Sequence, residues 1–343
     1  MKIAFIRHSL LNRGGDKMIV AYASFLAEVG HHVVLKTNLI DTVFVLSPRV
    51  IVESLRFSGK MGTILSLLLE PVDADIVVAD IIPLSLILSV RNQNRVLYFA
   101  QDYNENSYST LIQKLFIRFL YVVSFKLLKV PVVAVSAELA QLFLRQFTIE
   151  AKVVCNGVDL NTFFSDPDED LLRLKGDNKA ILFFSRRDYR KGFDLALATI
   201  AQLKFPFVEV WTVGEQLKAE EVPCGVRNFG YVSETTLRRI MSSADLFLYP
   251  SRNEGFGLMV LEAFACNCPV VTTTAIPYAI DGENALVARI EDVSGLTAKV
   301  AQILTNCELA HDLADKAGKF VLNYSLESSA KDFEAALQAQ LET

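Results

Sequence analysis

Residues 246–273 read LFLYPSRNEGFGLMVLEAFACNCPVVTT, and the whole architecture turns on how this stretch is read. Leu246–Tyr249 is a four-residue apolar run of strand length, closed by Pro250, Ser251 and Arg252. Gly255-Phe256-Gly257 then opens an amphipathic helix over about 256–266, and Val270–Thr272 starts a second apolar strand. Strand, helix and strand in that order form a βαβ unit, whose strands lie parallel in one sheet. A helix beginning at Phe256–Gly257 turns unpaired N–H groups and a positive dipole end toward anything negative. Glycines on both sides of Phe256 let backbone approach a ligand closely. Glu254 falls at the mouth of that turn and Glu262 two helical turns further on, and a carboxylate can accept two hydrogen bonds from vicinal hydroxyls. On spacing alone, both glutamates could equally be solvated side chains of an ordinary strand–turn–helix.

The same alternation extends along the chain. Apolar runs at Ile3–Ile6, Val33–Lys36, Ile76–Ala79, Val96–Phe99, Val132–Val135 and Lys152–Cys155 alternate with helical patterns such as Asp16–Val29, Ser58–Leu69 and Ala137–Phe147. Residues 164–178, FSDPDEDLLRLKGDN, break the pattern with acidic and polar residues and read as an interdomain linker. Strands then resume at Ala180–Phe184, Phe207–Thr212, Val226–Phe229, Leu246–Tyr249 and Val270–Thr272, with helices near 191–203, 234–242, 256–266 and 293–305; residues 308–343 read as helical throughout. Near-continuous Val/Ile/Leu strands separated by helices mean parallel sheets covered on both faces. The expectation is therefore an α/β protein of two doubly wound, Rossmann-like domains, which 343 residues accommodate.

Composition excludes several classes. Hydrophobic residues make up 52% and charged residues 21%, which rules out a disordered chain. Mean hydropathy is +0.32, which sheets covered on both faces or a membrane contact would explain. Net charge is −5, which argues against a general nucleic-acid binder. Residues 1–165 carry 16 Lys/Arg and 13 Asp/Glu (+3), while residues 166–343 carry 18 and 26 (−8), so the halves are expected to meet different partners. The five cysteines show no metal-ligand spacing and read as free thiols of a cytoplasmic protein. The start MKIAFIRHSL reads as a first strand, without the long apolar region of a signal peptide. No G-x-G-x-x-G follows Ile3–Ile6, which disfavours a dinucleotide oxidoreductase.

One segment stands out by charge. No acid occurs from Asn106 to Ala137, whereas Lys114, Arg118, Lys126 and Lys129 fall within a third of a helical circumference, with Val122 and Phe125 intruding on that arc. A helix over 107–129 could lie in the headgroup region of an anionic membrane, on the cytoplasmic face, or be a domain helix whose cations line a cleft or reach solvent. Four charges disfavour a membrane span.

Glu254 and Glu262, eight apart around Gly-Phe-Gly and followed by Pro269-Val270-Val271, resemble the E-x7-E motif of GT-B retaining glycosyltransferases of family 4. Further matches follow in that family's order. They are Gly14-Gly15, Asn156-Gly157-Val158-Asp159 with Phe163, Arg186 and Lys191 as R-x4-K-G, Gly230-Tyr231-Val232, and Gly282-Glu283-Asn284. The resemblance implies two Rossmann-like domains facing a central cleft: an acceptor domain over 1–165, a sugar-nucleotide domain over 166–325, and a helix over 326–343 crossing back to the first. It implies a sugar nucleotide and a glycan or lipid-linked acceptor as partners, with neither metal nor cofactor. Arg186 and Lys191 would neutralise the leaving diphosphate, and Glu254 would touch the donor sugar. Glu262 would bind the ribose, while Gly14, Gly15, Gly255, Phe256 and Gly257 would approach the donor and Val232 would meet the base through its backbone. Gln101 stands where many members carry histidine, and it cannot take a proton at neutral pH. With His8 and Asp102 it is a candidate for acceptor or sugar contacts. Asn267 replaces the usual glycine before Pro269, and asparagine also tolerates a left-handed helix cap.

Two further features are set aside. His31-His32 reads as a turn into the second strand, and Asp73-Ala-Asp75 as a surface turn rather than a metal-binding Asp-x-Asp. Arg187 and Arg190 read as surface charge. An epimerase of the same fold, or a catalytically silent homologue, remains an alternative to the transferase.

Overall fold

A computed structural model describes residues 1–91, 95–103, 105 and 110–342. The chain divides into two compact units, one of residues 1–156 with 326–343 and one of residues 157–325.

The first unit runs β1 (Lys2–Ile6), α1 (Gly14–Glu28), β2 (His32–Lys36), β3 (Ile51–Glu53), α2 (Gly59–Leu69), β4 (Ile76–Ala79), α3 (Ile82–Arg91), β5 (Val96–Ala100), α4 (Leu111–Val122), β6 (Val132–Ala134), α5 (Ala137–Phe147) and β7 (Lys152–Val153). Its parallel sheet has the order β3-β2-β1-β4-β5-β6-β7. The second unit runs α6 (Glu169–Lys175), β8 (Lys179–Phe184), α7 (Phe193–Gln202), β9 (Val208–Val213), β10 (Gly225–Gly230), α8 (Glu234–Ser243), β11 (Leu246–Tyr249), α9 (Leu258–Ala265), β12 (Val270–Thr273), β13 (Leu286–Ala288), α10 (Val293–Thr305) and α11 (Cys307–Val321). Its sheet, also parallel, has the order β10-β9-β8-β11-β12-β13. In both, strand order reverses beside the first strand of the unit, the place where doubly wound sheets open a crevice at their carboxyl edge.

Residues 308–343 are not one helix. A 3-10 turn at Leu322–Tyr324 and Ser325 separate α11 from α12 (Leu326–Leu341), and the chain changes unit at that break. Aromatic packing holds α12 in the first unit. Phe333 stacks on Tyr22 with ring centres 4.5 Å apart and also meets Phe99 and Phe5. Ser329 hydrogen-bonds Tyr22 at 2.6 Å and donates to the Cys155 carbonyl at 2.5 Å.

The stretch 164–178 is structured and belongs to the second unit, so the division falls at Asn156/Gly157 rather than at 165. Val158 N–H donates to the Tyr324 carbonyl. Asp166 binds Arg238 at 2.7 Å, and the Asp166 and Asp168 N–H groups donate to Ser242 and Ser243. Asp168 caps α6 by accepting from the Asp170 and Leu171 N–H groups. The acids that suggested a linker are here a cap and partners for α8.

The segment read as a helix over 107–129 also differs. Residues 107–109 lie outside the described residues; α4 starts after the Thr110 cap and gives way to a π-helical turn, Val123–Leu127. That turn shifts the register so that Phe125, which interrupted the basic arc on an ideal helix, is buried against Tyr98, Tyr121, Phe143 and Phe147. The outward face of α4 is apolar: Leu111, Ile112, Leu115, Phe116 and Phe119 are each between 56% and 82% exposed.

Candidate functional site

In the second unit the parallel strands bring the loops after β8 and β11 to one edge of the sheet, and hydrogen bonds lock these loops together. The Arg190 carbonyl accepts from the Arg252 N–H at 2.8 Å, and Ser251 Oγ lies 2.9 Å from it. Gly192, in the left-handed region at φ 71°, lies so near Pro250 that a Cβ there would sit 1.9 Å from the Pro250 carbonyl oxygen. No other residue fits between the two loops. Asp188 caps the 3-10 turn Tyr189–Lys191 by accepting from the Arg190 N–H.

This locking brings Lys191 onto Glu254. Lys191 Nζ lies 2.6 Å from Glu254 Oε1, and the same oxygen accepts from Tyr249 Oη at 2.7 Å and Ser251 Oγ at 2.9 Å. Burial, reinforced by the Glu254 carboxylate, pushes the Tyr249 phenol well above its ordinary range, so it stays a donor to Glu254. Arg186 is exposed, its guanidinium 3.9 Å from Asp188. Its neighbour Arg187 pairs with Glu221 at 2.9 Å, and Arg190 with Asp188 at 3.4 Å.

The turn into α9 differs in detail from a helix starting at Phe256. Gly257 is the cap, at φ 92°, and its carbonyl accepts from Tyr278 Oη at 2.5 Å. The Phe256 side chain is buried against Tyr278 and Tyr324, leaving only its backbone for a ligand. Gly255 lies between it and Glu254, and Glu262 is buried on α9 at 3% exposure. Gly230 ends β10 at φ 69° and Val232, half-buried, follows it at the same sheet edge. Asn284 is buried and supports this region by donating to the Tyr278 carbonyl at 3.0 Å. Asn267 takes the left-handed cap conformation at φ 54°.

In the first unit, Gly14 and Gly15 open α1. Gln101, at the end of β5, donates from Nε2 to the Gly15 carbonyl at 3.1 Å and to Asp80 Oδ2 at 3.0 Å. Arg7, after β1, binds Asp16 at 2.5 Å and Asp80 at 3.0 Å, all three buried. Sequence reasoning missed Arg7, Asp16 and Asp80; an Arg and an Asp each directly following an apolar strand were the available signal. Burial pushes both aspartates above their ordinary range, further than Arg7 draws them down. His8 is tied to α2 through Thr63 Oγ1 at 3.1 Å, and its pKa is lowered by burial and then by Lys60. Asp102 accepts from the Tyr103 N–H at 2.7 Å.

The features set aside resolve as structural contacts. Asp73 binds Lys2 and Asp75 caps the Lys2 N–H, while His31 pairs with Glu334 at 2.7 Å. Among the described residues, no group of three or more His, Cys, Asp or Glu is placed to hold a metal ion. All five cysteines are free.

A family model described as glycosyl transferases group 1 matches residues 178–306, which contain both locked loops. Over this segment the chain is similar to group 1 glycosyl transferases. Arg186, Lys191, Val232, Glu254, Gly255, Phe256, Gly257 and Glu262 all fall within the matched segment, while His8, Gly14, Gly15, Gln101 and Asp102 fall outside it. The chain is 27% identical over 191 residues to an uncharacterized glycosyltransferase of Methanocaldococcus jannaschii, covering 52% of this chain and 50% of that protein. It is 30% identical over 216 residues to the lipopolysaccharide core biosynthesis mannosyltransferase LpcC of Rhizobium leguminosarum bv. viciae, covering 55% and 60%. The chain thus spans about half the length of such curated relatives. Among solved structures, HepE of Anabaena, determined in complex with UDP and glucose, is similar over 98% of this chain and 99% of its own, with a TM-score of 0.82 at 19% identity. The fold of the whole chain is GT-B.

Proposed function

We propose that the chain is a retaining glycosyltransferase that moves a sugar from a nucleoside-diphosphate sugar to a glycan or lipid-linked saccharide, without a metal. The observation that carries this reading is the Lys191–Glu254 contact, which joins the R-x4-K-G and E-x7-E elements into one cluster at the carboxyl edge of the second sheet. Relatives support it: one is a lipopolysaccharide core mannosyltransferase, and HepE was solved with UDP and glucose.

In this reading the bond from the sugar's anomeric carbon to the diphosphate oxygen breaks and one to the acceptor hydroxyl oxygen forms on the same face. The hydroxyl proton passes to the departing phosphate, so no side chain need accept it and an amide at Gln101 is compatible. Negative charge grows on the diphosphate as the bond breaks, and Arg186 and Lys191 stabilise it most at that stage. Glu254, held by Tyr249 and Ser251, aims Lys191 and presents its carboxylate to the sugar. Glu262 takes the ribose, and the Gly255–Gly257 backbone the phosphate side.

The partner surface in this reading is an anionic membrane on its cytoplasmic side. Support comes from the exposed apolar face of α4 with Lys114, Arg118, Lys126 and Lys129 nearby, and from the absence of acids over 106–137. Among the described residues no helix is long and apolar enough to cross a membrane.

A thermal-shift panel of nucleoside diphosphates, followed by transfer assays with the matching sugar nucleotides and lipid-linked saccharides, tests the reaction. Transfer with retained anomeric configuration in the presence of a chelator is expected. Interconversion of free sugar nucleotides without acceptor would instead show an epimerase, and nucleotide binding without turnover a silent homologue. Flotation with phosphatidylglycerol vesicles tests the membrane surface: Phe116→Ser/Phe119→Ser should abolish it, and phosphatidylcholine vesicles should bind weakly.

A further inference from the structure

Gln101 is asked to give two hydrogen bonds from one nitrogen. Its Nε2 faces two acceptors, the Gly15 carbonyl oxygen at 3.1 Å and Asp80 Oδ2 at 3.0 Å, and neither has a proton to offer while Asp80 is ionised. That fixes the amide orientation and turns Oε1 toward the glycine turn, where a Cβ on Gly15 would lie 2.9 Å from it. Asp80 is held in turn by Arg7, which also holds Asp16 in the first turn of α1. The two ends of the Gly15–Asp16 segment are thereby tied to one buried cluster, the carbonyl of Gly15 through Gln101 and the side chain of Asp16 through Arg7.

We propose that Gln101 is a positioning residue, which acts by fixing the Gly14–Gly15 turn through the Gly15 carbonyl and Asp80 rather than by touching the reacting atoms. This rests on the transferase reading only in what the fixed turn is for. The requirement for two N–H groups on one atom explains the residue type. A neutral imidazole offers one N–H on one of its two ring nitrogens and satisfies one acceptor, whereas a neutral amide satisfies both. The close approach at Gly15 follows as well, since a side chain there would displace the amide that orders the turn.

The test compares the ligand-free full chain and its Gln101→Met and Gln101→His variants. Methionine keeps an unbranched chain of similar length without donors, and histidine keeps one donor. Hydrogen exchange over residues 14–22 should accelerate about tenfold in Gln101→Met, as expected for loss of two modest hydrogen bonds, and less in Gln101→His. In steady-state assays with the nucleotide sugar that the wild type turns over, Gln101→Met should raise donor KM about tenfold and leave kcat within about twofold. Gly15→Ala should raise KM in the wild-type background and add nothing on top of Gln101→Met. That cycle also serves if Gln101→Met does not fold, through Gly15→Ala combined with Gln101→His. Unchanged exchange over 14–22, or a fall in kcat with KM and exchange unchanged, overturns the proposal. Lys191→Met separates the two readings, since it should lower turnover about 10²–10³-fold and leave exchange over 14–22 as in the wild type. Absence of turnover in the wild type would sink the transferase reading and leave the exchange result standing.

Discussion

The two glycine turns are the same device put to different electrostatic use. Both follow a buried parallel strand and open a helix. The turn into α9 has no acid in the helix's first turn, and the loop locked to it supplies Arg186 and Lys191. The turn into α1 carries Asp16 in its first turn, already paired with Arg7, and Asp80 stands behind as a second carboxylate on one guanidinium. A helix N-terminus attracts an anion most where no side chain has supplied one. In the second unit no acid of the helix's own first turn meets that attraction, whereas in the first unit Asp16 does.

The sharpest way to break this contrast is to remove the central cation of each site. Arg7→Met leaves two buried carboxylates facing each other, and loss of one partner of a buried pair costs about 3–5 kcal/mol. Denaturant unfolding should show that loss as a lower midpoint at unchanged slope. Arg186→Ala should behave oppositely. The side chain is 48% exposed, so stability should stay within about 0.5 kcal/mol. Transfer should nonetheless fall about 10²–10³-fold, or about 3–4 kcal/mol at the transition state. Lys191→Met should lose rate similarly and also some stability, because Glu254 keeps only its two hydroxyl donors. A large rate loss in Arg7→Met at full stability, or none in Arg186→Ala, would erase the division of labour.

The period and order of apolar runs made both sheets legible, because strands buried on both faces must be apolar throughout. β3 and β13 escaped notice because each is three residues long, and Ile51–Glu53 is exposed at the sheet edge. The region 164–178 was misread because an N-cap and ion-pair partners have the same acidic composition as a linker. The matched residues of the second unit could be picked out because Gly-Phe-Gly, Glu254 and Lys191 sit in short local patterns. Arg7, Asp16 and Asp80 could not, since their meeting depends on β1 and β4 being neighbours, which no local pattern states. The π-helical turn was equally invisible, for it shows only as the inward placement of Phe125.

Acids of the two units should also respond to pH with opposite sign. In the second unit Asp245, against the upward push of burial, is drawn below its ordinary value by Lys175, the Ala180 N–H and Lys179; Asp194 is drawn down by Arg252. A depressed carboxylate stabilises the fold above its unfolded pKa of about 3.9, and that stability is lost as pH falls through the folded value. Asp16 and Asp80 are raised instead. Stability from their protonated form is fully present below about pH 3.9 and is lost as pH rises through the folded pKa. Asp245→Asn should therefore cost about 1.5–3 kcal/mol at pH 7 and flatten the acid limb of the stability curve. Asp80→Asn should flatten the decline on the rising side. Denaturant unfolding between about pH 2 and 8 would resolve the two limbs, and curves of the same sign would contradict the contrast.

The smallest expected effect concerns Gly14, where the two turns differ in how tightly the backbone is constrained. Gly257 needs its left-handed conformation, and Ile276 Cδ1 lies 2.6 Å from where its Cβ would be. Gly14 has an ordinary φ and no atom within 4 Å of the corresponding point. Alanine there meets no obstacle and restricts the unfolded chain, so Gly14→Ala should raise stability by about 0.5 kcal/mol, a shift of a degree or two in Tm. If the turn approaches a ligand through its backbone, that methyl group stands on the ligand side and donor KM should rise while stability improves. A gain in stability with unchanged KM would mean that Gly15 and its carbonyl, held by Gln101, matter in the first turn and that Gly14 is only its open flank.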